Sequence, residues 1–214
     1  KVMISKKVNV FDLLDEDNED HISELIDKGD LKKFDIKEFT SKFKNDIEND
    51  LECLLEIQLL WKDVKIDPKI QTLKKYLKED QILIKNKIVI FTESSETGTY
   101  LLDKLSSDYK EKVIFYSSKG ARYFKDNKHC SSAQKHGRQL VRENFDPNIK
   151  KESQKNDFKI LITTDVLAEG VNLHRSNINL NYDLPWNPTK VIQRTGRVNR
   201  VGSLHDYIYV YNFF

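Results

Sequence analysis

Short runs that are apolar almost without interruption constrain this chain most. Lys87 to Phe91, Lys112 to Tyr116 and Lys159 to Thr163 are built mainly of Ile, Val, Leu and Phe, and related runs follow at Asn177 to Tyr182 and Asp206 to Tyr211. A strand with one wet face alternates apolar and polar residues. A continuous apolar run needs cover on both faces, the condition of a strand inside a parallel sheet. Helical patterns at 95–106, 131–145 and 188–197 lie between the runs, and a helix over Lys69 to Lys78 precedes them. The alternation predicts an α/β fold with a parallel sheet. Ser117 to Cys130 and Asp146 to Asn156 are polar and rich in lysine and asparagine, and are predicted as mobile loops.

Residues 1–66 have a different texture. Asp15 to Asp20 is an acidic run, read as a solvated loop or helix start. Phe39, Phe43, Ile47, Leu51, Leu54 and Trp61 recur at helical spacing, which predicts a long amphipathic helix with this stripe in a core. No chemistry is legible there, so 1–66 reads as a helical adaptor or insertion, with a protein partner as the alternative use. At Asp67-Pro68-Lys69 the texture changes, and 67–214 forms the second domain.

Lys and Arg total 36 against 34 Asp and Glu, so any basic surface must be local. Cys53 and Cys130 are far apart and are read as reduced thiols of a cytoplasmic protein. No apolar run is long enough for a bilayer, no signal peptide is visible, and no membrane partner is expected. The start at Lys1 and the stop inside an apolar run are read as the ends of an excised piece.

Arginine is scarce, yet three of the seven fall at Arg194, Arg197 and Arg200. A planar fork is needed where phosphate or carboxylate oxygens must be gripped at two points. Asn187 and Pro188 read as the cap and first turn of the helix carrying them, on which Gln193 and Arg197 share a face. In parallel sheets ligands sit beyond the carboxyl ends of strands. Those ends lead into Thr92-Glu93-Ser94, into Thr163-Thr164-Asp165 with Gly170 beyond, and into Asp183 to Pro188. Hydroxyls and main-chain N–H groups at helix starts suit phosphate; each alone is ordinary capping, but three on one rim beside an arginine cluster point to a ligand.

Thr163-Thr164-Asp165-Val166-Leu167-Ala168-Glu169-Gly170-Val171-Asn172-Leu173 resembles motif V of superfamily-two helicases and translocases. Gln193-Arg194-Thr195-Gly196-Arg197-Val198-Asn199-Arg200-Val201-Gly202 resembles their motif VI, and Lys87 to Thr92 their motif IV. Asp183-Leu184-Pro185-Trp186-Asn187-Pro188 and the opening Asp67 to Leu73 are similar to the Swi/Snf-like branch, including bacterial RapA/HepA-type ATPases. The resemblance covers 67–214 and implies a RecA-like C-terminal lobe. It implies that Arg197 and Arg200 are arginine fingers to ATP, that Gln193 couples nucleotide to nucleic acid, and that Glu169, Gly170 and Asn172 lie at the nucleotide. Thr163 and Thr164, with Thr92 and Ser94, would contact nucleic-acid phosphates, with DNA favoured over RNA. Asp165 follows the helicase form of motif V, which leaves strand separation and duplex translocation both open.

No Gly-x-x-x-x-Gly-Lys-Ser/Thr loop and no Asp-Glu-x-His or Asp-Glu-Ala-Asp sequence occurs. Those hold the phosphates and Mg²⁺ in the first RecA-like lobe. The chain is therefore expected to be the second lobe, its ATP and Mg²⁺ held mainly by a first lobe, and to hydrolyse no ATP alone. The rival reading is a non-catalytic interaction module that keeps the fold. His129, Cys130 and His136 are too scattered for a metal site. Trp186 is expected to pack the helix start against the sheet, and Tyr207, Tyr209 and Tyr211 to form a half-buried last strand. Arg122, Lys125 and Lys128 are a secondary candidate for phosphate.

Overall fold

The computed structural model describes residues 2–5, 19–165, 171–203 and 205–214. The acidic run from Asp15 lies largely outside them. Two compact units divide the chain, Lys1–Ile66 and Asp67–Phe214. The first holds an antiparallel pair, β1 (Val2–Ser5) with β2 (Leu31–Phe34), and two helices, α1 (Glu19–Asp27) and α2 (Ser41–Lys62). It is thus not purely helical. The long helix forms where the stripe predicted it, but Ile47, Leu51, Leu54 and Trp61 are exposed, so the expectation that they form a core is corrected. Nine residues from Cys53 to Trp61 carry one charge, Glu56. Leu59, Leu60 and Trp61 fall on different sides of the helix, so a single packed face could not cover them all.

In the second unit α3 (Pro68–Glu79) and α4 (Gln81–Lys85) lead into β3 (Ile88–Phe91), then α5 (Ser95–Tyr109), β4 (Val113–Ser117), β5 (Gly120–Lys125), β6 (Lys128–Ser132) and α6 (Gln134–Phe145). β7 (Ile160–Thr163), β8 (Ile178–Asn181), α7 (Pro188–Val198) and β9 (Tyr209–Asn212) complete the order. The sheet runs β6-β5-β4-β7-β3-β8-β9. The five strands from β4 to β9 are parallel, and β5 and β6 extend the edge as an antiparallel hairpin.

Alternation divides each central strand between two cores. Ile88, Ile90, Val113, Phe115, Ile160 and Ile162 pack with Leu73, Leu77, Leu101 and Leu105 of α3 and α5. Val89, Phe91, Ile114 and Leu161 pack with Val141 and Phe145 of α6 and Val198 of α7. The predicted boundaries hold to a few residues. The loop expected over Ser117 to Cys130 does not: it is the β5–β6 hairpin. Asp126 and Asn127 both have positive φ, 51° and 58°, which is the backbone a two-residue hairpin turn requires. The last strand is shorter than expected, with Tyr209 and Tyr211 half-buried and Tyr207 exposed before it.

α5 lies close on β4 because Gly98 has no side chain. A Cβ there would sit 2.3 Å from the Phe115 ring, itself locked in the core. Gly98→Val is expected to destabilise the second unit by about 2–3 kcal/mol through overpacking, measured by urea unfolding; a wild-type midpoint would show that the helix can back away at no cost.

Candidate nucleotide and nucleic-acid interface

The carboxyl ends of β3, β7 and β8 are tied together by one side chain. Arg194 of α7 is fully buried, 0% exposed. Its Nε donates to Asp165 Oδ1 at 2.7 Å and its Nη2 to Asp165 Oδ2 at 3.2 Å. Nη2 also donates to Glu93 Oε1, and Nη1 donates to Asn181 Oδ1 at 3.2 Å and to the Asp183 carbonyl at 2.9 Å. Guanidinium has five N–H groups and all five are used. The Phe91 ring lies beneath, 5.4 Å from the guanidinium carbon. Of the two acceptors the sequence left open for these arginines, phosphate and carboxylate, Arg194 takes carboxylate.

This use of Arg194 was missed in the sequence, although a signal existed. Val191, Arg194, Thr195 and Val198 recur at helical spacing, which puts Arg194 on the inward stripe of α7. Lys190, one position before that stripe, bridges Glu93 at 3.3 Å and Asp165 at 3.4 Å. The hydrogen bond to Glu93, its charge and that of Asp165 raise the Lys190 pKa above the ordinary lysine value. Asp183 accepts from the Thr92 hydroxyl and from the Glu93 N–H at 3.2 Å, with Lys69 at 3.4 Å.

The other two arginines end differently. Arg197 is half-buried on the last turn of α7, and Gln193 is exposed one turn earlier. Arg200 is exposed just beyond the helix, its Nη1 donating to Asn172 Oδ1 and its Nε to the Gly196 carbonyl at 3.3 Å. Half-buried Asn172 thus joins the segment before β8 to the end of the arginine helix. Glu169 and Gly170 lie outside the described residues. His174, two residues beyond Asn172, is 2% exposed and its Nδ1 has no hydrogen-bond partner among the described residues. Burial lowers its pKa, Asp146 raises it and Arg200 lowers it further.

The hydroxyls expected to face phosphate are mostly engaged. Thr92 is 0% exposed and held by Asp183. Thr163 is equally buried and bonds the carbonyls of Tyr116 at 3.1 Å and Thr164 at 3.0 Å. Ser94 caps α5, accepting from the Thr97 N–H at 3.0 Å. Thr164 is 8% exposed, and its hydroxyl has no partner among the described residues. Asn187 caps α7 as expected, accepting from the Thr189 N–H at 2.9 Å, with Pro188 in the first turn. Trp186 is 104% exposed, which corrects the expectation that it packs against the sheet. Pro185 before it is buried and Asn187 after it caps α7.

Comparison with known proteins identifies the family and the fold. A family model described as the helicase conserved C-terminal domain matches residues 68–202, most of the chain. The chain belongs to this family. The helicase C-terminal domain here is 33% identical over 129 residues to an uncharacterized ATP-dependent helicase, YqhH, of Bacillus subtilis, covering 60% of this chain and 19% of that protein. It is 32% identical over 68 residues to the ATP-dependent RNA helicase DbpA of the same organism, covering 32% of this chain and 14% of that protein. The chain thus spans about a fifth of the length of YqhH and less of DbpA. Among solved structures, the C-terminal part of the Fun30 ATPase domain aligns with a TM-score of 0.51 at 22% identity, covering 76% of this chain and 47% of that one. The fold is the α/β RecA-like fold of helicase C-terminal lobes. Among the described residues, no helix is long and apolar enough to cross a membrane.

Proposed function

We propose that this helicase C-terminal domain is the second motor lobe of an ATP-dependent nucleic-acid translocase or helicase of the Swi/Snf-like branch. The observation that carries the reading is the division of labour among three neighbouring arginines. Arg194 is consumed inside the lobe, whereas Arg200 is exposed at the helix end beside Asn172. Arg194 fixes the angle at which α7 leaves the rim, so Arg197 and Arg200 are carried by a rigid support. ATP held mainly with Mg²⁺ by a first lobe would supply the scissile phosphoanhydride. The exposed Arg200 fork would then lie against its terminal phosphate and offset charge developing there. Asn172 would hold the guanidinium until that phosphate replaces it, and Gln193, on the exposed face, would report the closure. Glu169 and Gly170 would complete the nucleotide side.

Contact with nucleic acid, DNA more than RNA, would run along the same rim. With the Thr92, Thr163 and Ser94 hydroxyls engaged internally, phosphate contact falls to Thr164 and main-chain N–H groups there. Trp186 adds a base-stacking surface. Trp186→Ala is expected to leave unfolding unchanged, because the side chain is fully exposed, while nucleic-acid affinity weakens by about 1–3 kcal/mol. Fluorescence anisotropy of a labelled oligonucleotide tests this; wild-type affinity would remove Trp186 from the interface. The exposed apolar residues of α2 favour a protein partner for 1–66.

A further inference from the structure

Residues 112–138 hold seven Lys and Arg and one carboxylate, Asp126, in a chain whose net charge is only +2. The hairpin organises this block. Its last ladder pair sets Lys125 directly opposite Lys128, and like charges facing each other across strands are unfavourable. Among the described residues, Lys112, Lys119, Arg122, Lys125 and Lys128 have no ion-pair partner. Lys74, Lys78, Lys155 and Lys190 of the same unit are all paired. Arg122 instead donates to the Thr99 hydroxyl at 3.1 Å.

Beside the hairpin's turn end lies a cavity of about 350 Å³, walled by Tyr123 and Phe158 and bordered by Lys112 and Lys125. Two carboxylates also line it. Glu111 accepts from the Asp126 N–H at 2.6 Å and so serves the turn, while Asp157 remains on the wall. β5 carries the turn roughly 17 Å from the rim that holds the motifs, toward the opposite end of the sheet.

We propose that the hairpin tip is a second contact for the nucleic-acid backbone. A phosphate lies between Lys125 and Lys128, Lys112 borders the same anion site, and the Tyr123–Phe158 wall receives an adjoining base. The anion removes the repulsion of the facing lysines. This rests on the nucleic-acid reading above and extends it to a surface outside the helicase motifs.

The test is Lys125→Gln combined with Lys128→Gln in the full chain, with binding measured against salt. An oligonucleotide of about 8 nucleotides should reach only the rim, and one of about 30 should reach both surfaces. For the longer strand, affinity should fall about three- to tenfold and the slope of log affinity against log salt should drop by about 1–2. The short strand should bind unchanged, and the thermal midpoint without ligand should stay level or rise. Unchanged binding of both strands, equal loss for both, or a lowered midpoint overturns the proposal. Displacement of the long strand by AMP at constant ionic strength also overturns it, assigning the cavity to a free nucleotide. Loss of rim binding in Trp186→Ala is read on the short strand, so the two readings fail separately.

Discussion

Arg194→Leu is expected to destabilise the second unit by about 3 kcal/mol, and to lower its melting temperature by roughly 6–12 °C. Removing one partner of a buried ion pair typically costs about 3–5 kcal/mol, because the charge left behind is unpaired. Here the lower end applies, since Asp165 and Glu93 remain 31% and 40% exposed and can rehydrate. The loss extends beyond charge. Asn181 and the Asp183 carbonyl lose their donor, and Phe91 loses the cation over its ring. Arg194→Lys should recover little, because an ammonium offers three donors in the wrong geometry for five acceptors. Calorimetry of both variants checks this; wild-type melting of Arg194→Leu would show that the rim is held by packing alone.

The same residue shows how far the sequence was legible. The central strands were readable because burial on both faces leaves no choice but apolar side chains, as in Ile88 to Phe91. The hairpin was not, because β6 has one neighbour in the ladder and its Lys128, His129 and Ser131 are exposed. Its turn, Asp126-Asn127, carries no glycine to announce the positive φ. Asn187 and Pro188 signalled the start of α7, whereas the arginine spacing was read as a ligand site. The spacing of Val191, Arg194, Thr195 and Val198 pointed to the arginine that turns inward, but not to its carboxylate partners, because Asp165 and Glu93 meet it only after three strand ends converge. Trp186 and the α2 stripe were misjudged for one reason: large apolar residues are core by default, and exposure depends on what the fold leaves uncovered.

Arg200→Ala is expected to impair function with little effect on stability. Its guanidinium is exposed, and its partners, Asn172 and the Gly196 carbonyl, can be hydrated in its absence. An arginine finger contributes about 10³–10⁵ to phosphoryl transfer, because it neutralises charge that water would otherwise have to reorganise around. Nucleic-acid affinity, which is proposed to depend on Trp186, Thr164 and the rim, should change little. The measurement is the nucleic-acid-stimulated rate of ATP hydrolysis by the full-length protein carrying Arg200→Ala, with melting temperature and nucleic-acid affinity recorded alongside. The expected result is a rate reduced by about three decades or more, with stability and binding at wild-type values. Hydrolysis at the wild-type rate would show that Arg200 reaches no phosphate and would remove the basis for a nucleotide site completed by this edge.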